Sequence, residues 1–318
     1  MGYMRTLHIV KAGAFSHIQD LGRPGLEYLG LNRCGPLDFQ SFVIAQTLVH
    51  NDLHEAAIEM TYQGLEFTAD HPVTFAVVGA ETVRIDNEIY SGAMTLMAKS
   101  QQLVQIGRLT TSRAYLAIQG GLDTPVILGS RSTDFTAGIG GWHGRSLRSG
   151  DRIPLKPIET PWPATVHTAP HWAYYSTEEP LKVVLGPHAY EFSSNTLETF
   201  FKESYTINKL SNIMGIRLMG SPVPPHNQAA SRLSEGTVPG AIQVPPDGQP
   251  IVLLNQRGTI GGYPIIATLL GPELWRLAQW PMSSPLRFAA ESLAAAQSLS
   301  RRIYQRLMAW REQILTGL

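Results

Sequence analysis

Residues 244–264 read VPPDGQPIVLLNQRGTIGGYP. A glycine turn, an apolar run and a second glycine loop follow one another without a gap. The run PIVLLN (250–255), bounded by turn residues, reads as a buried strand. Pro245–Gly248 makes the turn that enters it, and Gly258, Gly261 and Gly262 open the loop that leaves it. In one reading, burial of Ile251, Val252 and Leu253 holds two loops in register at one barrel mouth, with their backbone N–H groups available to a ligand. Two plain turns closing a barrel strand give the same sequence, and both readings stand at this point.

The same signature recurs along the chain. VTFAVVG (73–79), RAYLAIQGG (113–121) and LKVVLGP (181–187) are further buried strands, and ETVRIDNEIYSG (81–92) is a hairpin turning at Asp86-Asn87. Helical signals are few. Asp38 is placed to cap FQSFVIAQTLV, with Phe42, Ala45 and Val49 on one face. Pro272 suits the first turn of a short helix through Leu277. After Ser292, the residues Leu293, Leu299, Ile303, Leu307, Trp310 and Ile314 recur at helical intervals, with charge on the other side. Helices do not alternate with strands, so the pattern predicts a mainly β chain of barrels rather than a doubly wound sheet. The proline-rich stretch 156–180 has no period and reads as a linker. The predicted division is a β domain over 1–160, a linker over 161–180, a second β domain over 181–290 and a C-terminal helix over 291–318.

Composition limits the partners. Twenty-five basic residues balance 25 acidic ones, so no net field favours nucleic acid or an anionic membrane, and any anion must be held by local groups. No run approaches the roughly 18 apolar residues of a membrane span, and MGYMRTLHIVKAG at the start lacks the apolar stretch of a signal peptide. Cys34 is the single cysteine, which excludes an intrachain disulfide and suits a reducing compartment. A soluble cytoplasmic protein is expected.

Conventional catalytic motifs are absent: the sequence contains no GxxxxGK[ST], no GxSxG, no HExxH and no Cys/His cluster, so no metal is expected. Several segments do combine glycine with an acid, an arginine or a hydroxyl. IQDLGRPG (18–25) carries Asp20 and Arg23, LGSRSTD (128–134) carries Arg131 and Ser132, and SNIMGIRLMG (211–220) carries Arg217. Glu59 and Thr61 in AAIEMT (56–61) share one side of a strand. Each has a plain reading as well. Asp20 suits a turn, Asp38 a helix cap, and Glu59 a surface ladder. Their joint appearance is what points to chemistry, since glycine loops free backbone N–H groups while arginines supply charge.

Taken in order, IQDLGRPG, CGPLD (34–38), AAIEMT, YLAIQGGLDTP (115–125), LGSRSTD, GGWHGRSLRSGD (140–151), VVLGP (183–187), SNIMGIRL (211–218), SEGTVPGAIQVPPDGQPIVLLN (234–255) and TIGGYP (259–264) resemble the KipA family. This family is also called allophanate hydrolase subunit 2, or the biotin-dependent carboxyltransferase family. CGPLD, LLN and the tail LMAWREQ look most like its 5-oxoprolinase branch. The resemblance implies two cyclophilin-like β-barrel domains, with a KipI-like and a LamB/YcsF-like protein as partner subunits. It also implies ATP-dependent cleavage of 5-oxoproline to L-glutamate, with Mg on the assembled enzyme. Two other activities occur within reach of this resemblance: a carboxyltransferase fed by biotin on another protein, and a non-catalytic regulator binding a KipI-type kinase inhibitor.

The chain departs from the family pattern at Ile213 and in the second glycine loop. That loop is commonly D-x-Q-T-T-G-G-Y-P, and an acid, an amide and a hydroxyl are lost here at Gln256, Gly258 and Ile260. The expected roles are Asp38 or Glu59 orienting substrate or accepting a proton. An anion would be held by Arg23, Arg131, Ser132, Arg217, Arg257, Gly258, Thr259, Gly261, Gly262 and Tyr263.

Overall fold

The computed structural model describes residues 5–158, 166–173, 175–226 and 233–317. The chain is mainly β and forms two compact units. The first comprises Met1–Arg23, Cys34–Tyr174 and Leu307–Leu318; the second comprises Pro24–Arg33 and Tyr175–Arg306.

In the first unit a five-stranded sheet runs in the order Phe15–Gln19, Ala57–Gln63, Arg108–Ile118, Val73–Val78, Thr95–Ala98. A six-stranded sheet runs Arg152–Pro154, Thr6–Lys11, Glu66–Ala69, Val104–Ile106, Thr82–Ile85, Glu88–Ser91. Side chains alternate across the five-stranded sheet, which explains its unbroken apolar runs. Ile58, Met60, Phe75, Val77, Leu116 and Ile118 enter a core shared with Leu7, Phe67, Val83 and Val104 of the six-stranded sheet. The intervening residues Ala57, Ala76, Val78, Tyr115 and Ala117 face helix α1, Phe39–Leu48. Asp86-Asn87 turns the hairpin as read, with Ile85 opposite Glu88.

Helix α1 starts where its cap predicts: the Asp38 carboxylate accepts from Ser41 N (3.1 Å) and Ser41 Oγ (2.6 Å). Its single apolar face does not hold, because every residue from Gln40 to Leu48 is buried. Its cluster also takes in Trp172, Leu307 and Trp310. Within the stretch 156–180 read as a linker, 159–165 and 174 lie outside the described residues, while 166–173 pack into this unit. Thr95 N donates to His167 O (2.9 Å), Ala169 N donates to Ala93 O (2.8 Å), and Trp172 meets Trp310 edge-on.

The second unit is built on a seven-stranded sheet in the order Thr206–Ile207, Gly215–Met219, Ile251–Leu253, Ala241–Gln243, Ile265–Leu269, Leu181–Leu185, Phe288–Ala290. Its last two strands are parallel and the other pairs antiparallel. Helix α2, Ser194–Lys202, was not anticipated; its signal was the Ser193 cap, which accepts from Thr196 N (2.9 Å). Phe200 of α2 stacks on Phe288, with centroids 4.8 Å apart. Helix α3, Gly271–Ala278, carries Pro272 in its first turn as read, and the tail is helix α4, Leu293–Thr316. Among the described residues no helix is long and apolar enough to cross a membrane.

Burial divides the apolar stripe of α4 unevenly. Leu307 is fully buried, Leu293 is 62% exposed, and Arg311 donates to Thr47 Oγ1 (3.0 Å) and Asn51 O (2.7 Å). Leu307→Ala is expected to cost about 3 kcal/mol and Leu293→Ala no more than about 0.5 kcal/mol in urea unfolding. Equal costs would show that the last turns of α4 are not docked.

Candidate functional site

In the first unit the sheet register sets His17 and Tyr115 on either side of Glu59, on the face turned toward α1. Glu59 is 4% exposed. Its Oε2 accepts from Tyr115 Oη (2.7 Å) and Leu37 N (3.1 Å), while Oε1 lies 3.5 Å from Arg113 Nε and 3.7 Å from His17 Nε2. Tyr115 Oη in turn accepts from Asp38 N (2.9 Å), so Glu59 is wired to the start of α1. Burial pushes the Tyr115 phenol well above its usual range, with Glu59 and Asp38 adding to the effect. Burial pulls the His17 imidazole below its ordinary value against the pull of Glu59, and Arg113 reinforces the drop. Phe15 and Phe135 close on the His17 ring at 5.0 and 5.3 Å. The sequence reading named Asp38 and Glu59 as candidate catalytic groups. Both are buried, Asp38 caps the helix and Glu59 is a hub of interior bonds. His17, Arg113 and Tyr115 escaped that reading because only strand register brings them to Glu59.

A second cluster explains three glycine-containing motifs at once. The Asp20 carboxylate accepts from Gly22 N (2.9 Å), Ser130 Oγ (2.5 Å), Ser132 Oγ (2.8 Å) and Arg131 N (2.5 Å). Asp20 therefore bolts 128–134 to 18–25. Arg23, 2% exposed, donates to Ser132 O (2.6 Å) and Cys34 Sγ (3.4 Å). Burial, with Asp134 adding and Arg23 opposing, pushes the Cys34 thiol up to about 12. Gly140 sits at φ +70°, and a Cβ there would collide with Ser132 O, so GGWHG packs directly on this loop. Arg131 Nε donates to Thr124 O (2.9 Å). Arg23, Arg131 and Ser132, expected to touch an anion, are engaged in holding these loops together.

In the second unit the opening strand, Ile251–Leu253, lies between Gly215–Met219 and Ala241–Gln243. Gly248 N donates to Pro245 O (2.9 Å), closing the entering turn, and Val244 N donates to Pro264 O (3.0 Å), where the second loop returns. That loop is tied to a short ribbon in which Glu235 and Gly236 pair with Gly261 and Ile260. Thr237 N donates to Thr259 O (3.0 Å), and ladder alternation then makes Gly261 and Glu235 a hydrogen-bonded pair. The Gly261 amide, expected to face an anion, is thus directed at Glu235. Arg257 is 2% exposed and turned inward: Nε donates to Thr237 Oγ1 (3.0 Å) and Nη2 to Thr237 O (2.7 Å). Burial pulls its pKa below the usual guanidinium value, with Glu27 opposing and Arg33 assisting. Gly258 is exposed, Thr259 and Gly262 are half-buried, Tyr263 is 47% exposed, and Arg217 is exposed on its strand.

His188, another residue the sequence reading missed, braces the same ribbon. Its Nδ1 accepts from Ile265 N (3.0 Å) and its Nε2 lies 3.3 Å from Glu235 Oε2. A cavity of about 320 Å³ in this unit is lined by Glu179, Ser204, Trp280, Leu286 and Arg287 among others, and no expected site residue lines it.

The model of the carboxyltransferase domain, subdomain A and B, matches residues 29–290. The C subunit of 5-oxoprolinase from Escherichia coli (strain K12) is 36% identical over 312 residues, covering 96% of this chain and 98% of its own length. Its counterpart from Haemophilus influenzae (strain ATCC 51907 / DSM 11121 / KW20 / Rd) is 30% identical over 287 residues, covering 90% and 91%. The crystal structure of the K. lactis urea amidolyase matches with a TM-score of 0.87 at 25% identity, over 96% of this chain but 20% of that one.

Two outcomes test the first unit. Removing the Asp20 carboxylate strands four donors, so Asp20→Ala is expected to lose about 3 kcal/mol or more in urea unfolding. A loss below about 1 kcal/mol would refute the latch. His17 is held neutral, so above an unfolded-state pKa of about 6.5 its contribution to stability is fully present. As pH falls through that value, the unfolded chain takes a proton the folded chain refuses, and stability drops by up to about 1.4 kcal/mol per pH unit. His50, lowered to about 4 by burial, then His167 and Arg311, acts in the same direction between about 6.5 and about 4. His17→Gln should flatten the slope between pH 7 and 5; an unchanged slope would rule out a neutral buried imidazole.

Proposed function

The chain belongs to the carboxyltransferase-domain family, and from that premise we propose that it is the C subunit of an ATP-dependent 5-oxoprolinase. In this reading it cleaves 5-oxo-L-proline to L-glutamate in the cytoplasm, together with a KipI-like B subunit and a LamB/YcsF-like A subunit, and is inactive alone. The end-to-end correspondence carries it: the chain matches 98% of the Escherichia coli protein, whereas it spans about a fifth of the urea amidolyase chain. Relatives that are named as subunits support a multi-subunit assembly.

The chemistry sets what the site must do. A lactam carbonyl is a poor electrophile, and ATP with Mg²⁺ would supply a phosphoryl group to its oxygen, activating the carbon for attack by water and for cleavage of the ring C–N bond, with the amine departing and phosphate released. This chain has no phosphate loop of the GxxxxGK[ST] type, so the nucleotide is assigned to the assembled enzyme rather than to this chain by itself. What the chain offers an anion is the exposed backbone at Gly258, the half-buried Gly262 and the exposed Arg217. In this proposal they bind and orient the acid group of the substrate, and preorganised donors of this kind act without reorganising during reaction. Glu59 and Asp38 keep their part of the fold rigid.

The carboxyltransferase description of the family and the urea amidolyase fold favour one second reading, a component of a biotin-dependent carboxyltransferase. The chain carries no Met-Lys-Met biotin-attachment sequence, so biotin would arrive on another protein. Reconstitution of the full three-component enzyme separates the readings. ATP-dependent release of L-glutamate from 5-oxo-L-proline, lost when any component is withheld, is the expected result. Absence of glutamate release, together with carboxyl transfer from a carboxylated biotinyl carrier, would replace the first reading with the second.

A further inference from the structure

We propose that Thr237 is the positioning residue of the glycine loop 257–263, fixing its backbone in the form that receives the substrate's acid group. The inference rests on the oxoprolinase reading for its chemistry, and on geometry for the clasp itself. One threonine makes four hydrogen bonds to this loop. Its Oγ1 donates to Gly258 O (2.6 Å) and accepts from Arg257 Nε (3.0 Å), its carbonyl accepts from Arg257 Nη2 (2.7 Å), and its N–H donates to Thr259 O (3.0 Å).

The polarity of the hydroxyl is fixed. The Gly258 carbonyl only accepts and the Arg257 N–H only donates, so the hydroxyl must give its proton to one and its lone pair to the other. Thr237 and Arg257 are 7% and 2% exposed, so water does not compete for these bonds. Beyond the clasp, Arg257 N donates to Leu254 O (3.2 Å), Gly261 pairs with Glu235 and Gln243 Nε2 donates to Tyr263 O (3.4 Å), while the Gly258 and Thr259 carbonyls between them are held by Thr237.

The loop is organised from the facing segment. Gly258 allows it: a Cβ there would come within 3.2 Å of Ile260 O, crowding the turn whose carbonyl Thr237 holds. A glycine loop left unpinned loses more entropy on binding, and that cost falls on substrate affinity rather than on the chemical step.

The test uses the reconstituted three-component enzyme and the free full-length chain. Thr237→Val keeps the shape and removes the hydroxyl, Thr237→Ala guards against a valine-specific folding failure, and Thr237→Ser restores the hydroxyl. Val and Ala are expected to raise KM for 5-oxo-L-proline about tenfold with kcat changed less than about threefold, while Ser stays within about twofold of wild type. Hydrogen exchange on the free chain should speed at 258–262 in Val and Ala, remain slow in Ser, and be unchanged in Ile265–Leu269. Wild-type KM in Val and Ala, or unaltered exchange in the loop, would overturn the proposal. A wild-type assembly that releases no glutamate would overturn the activity reading instead, and the exchange data would still decide the clasp.

Discussion

A sheet buried on both faces leaves no water for any polar atom placed on it, and the first unit is organised around that constraint. The strand Ala57–Gln63 has the shared core of its unit on one side and α1 on the other, yet it carries Glu59. A carboxylate in that position is tolerated only if its lone pairs are occupied. Tyr115 and the Leu37 amide donate to Oε2, Arg113 and His17 lie 3.5 and 3.7 Å from Oε1, and Tyr115 links the group to the N-terminus of α1. The same burial keeps the phenol protonated and the imidazole neutral. Rigidity here follows from satisfying one interior charge.

The glycine loops of both units follow a related logic. Glycine lets backbone approach backbone closely, but it holds no conformation by itself. In each case a short polar side chain from a facing segment supplies the missing order. Asp20 gathers four donors from its own turn and from 130–132, and Thr237 gathers Arg257, Gly258 and Thr259. Arg23 and Arg257 both direct their guanidinium groups inward, onto carbonyl, hydroxyl or sulfur atoms. A positive charge in a glycine motif is therefore a fastener in these two places.

Features carried by neighbouring residues were legible before any coordinates. Asp38 three residues before Ser41, Pro272 at a helix start, the Asp86-Asn87 turn and the period of the tail helix each depend on a few adjacent positions. Helix α2 was missed because one capping serine preceding a short segment is a weak signal. The supposed single apolar face of α1 failed for another reason: how many sides of a helix are covered depends on what packs around it, here a sheet, the Trp172 segment and the last turns of α4.

By itself, then, the order of residues determined the mainly β character, the positions of turns and caps, and the family, because these follow from local spacing and from motifs kept in sequence order. Only tertiary structure decided which charged groups turn inward and which partners they meet. Glu59 finds His17 and Tyr115 at separations of 42 and 56 residues, and Arg257 finds Thr237 at 20. Pairing register and burial make those meetings, and neither quantity is a property of any short stretch of chain.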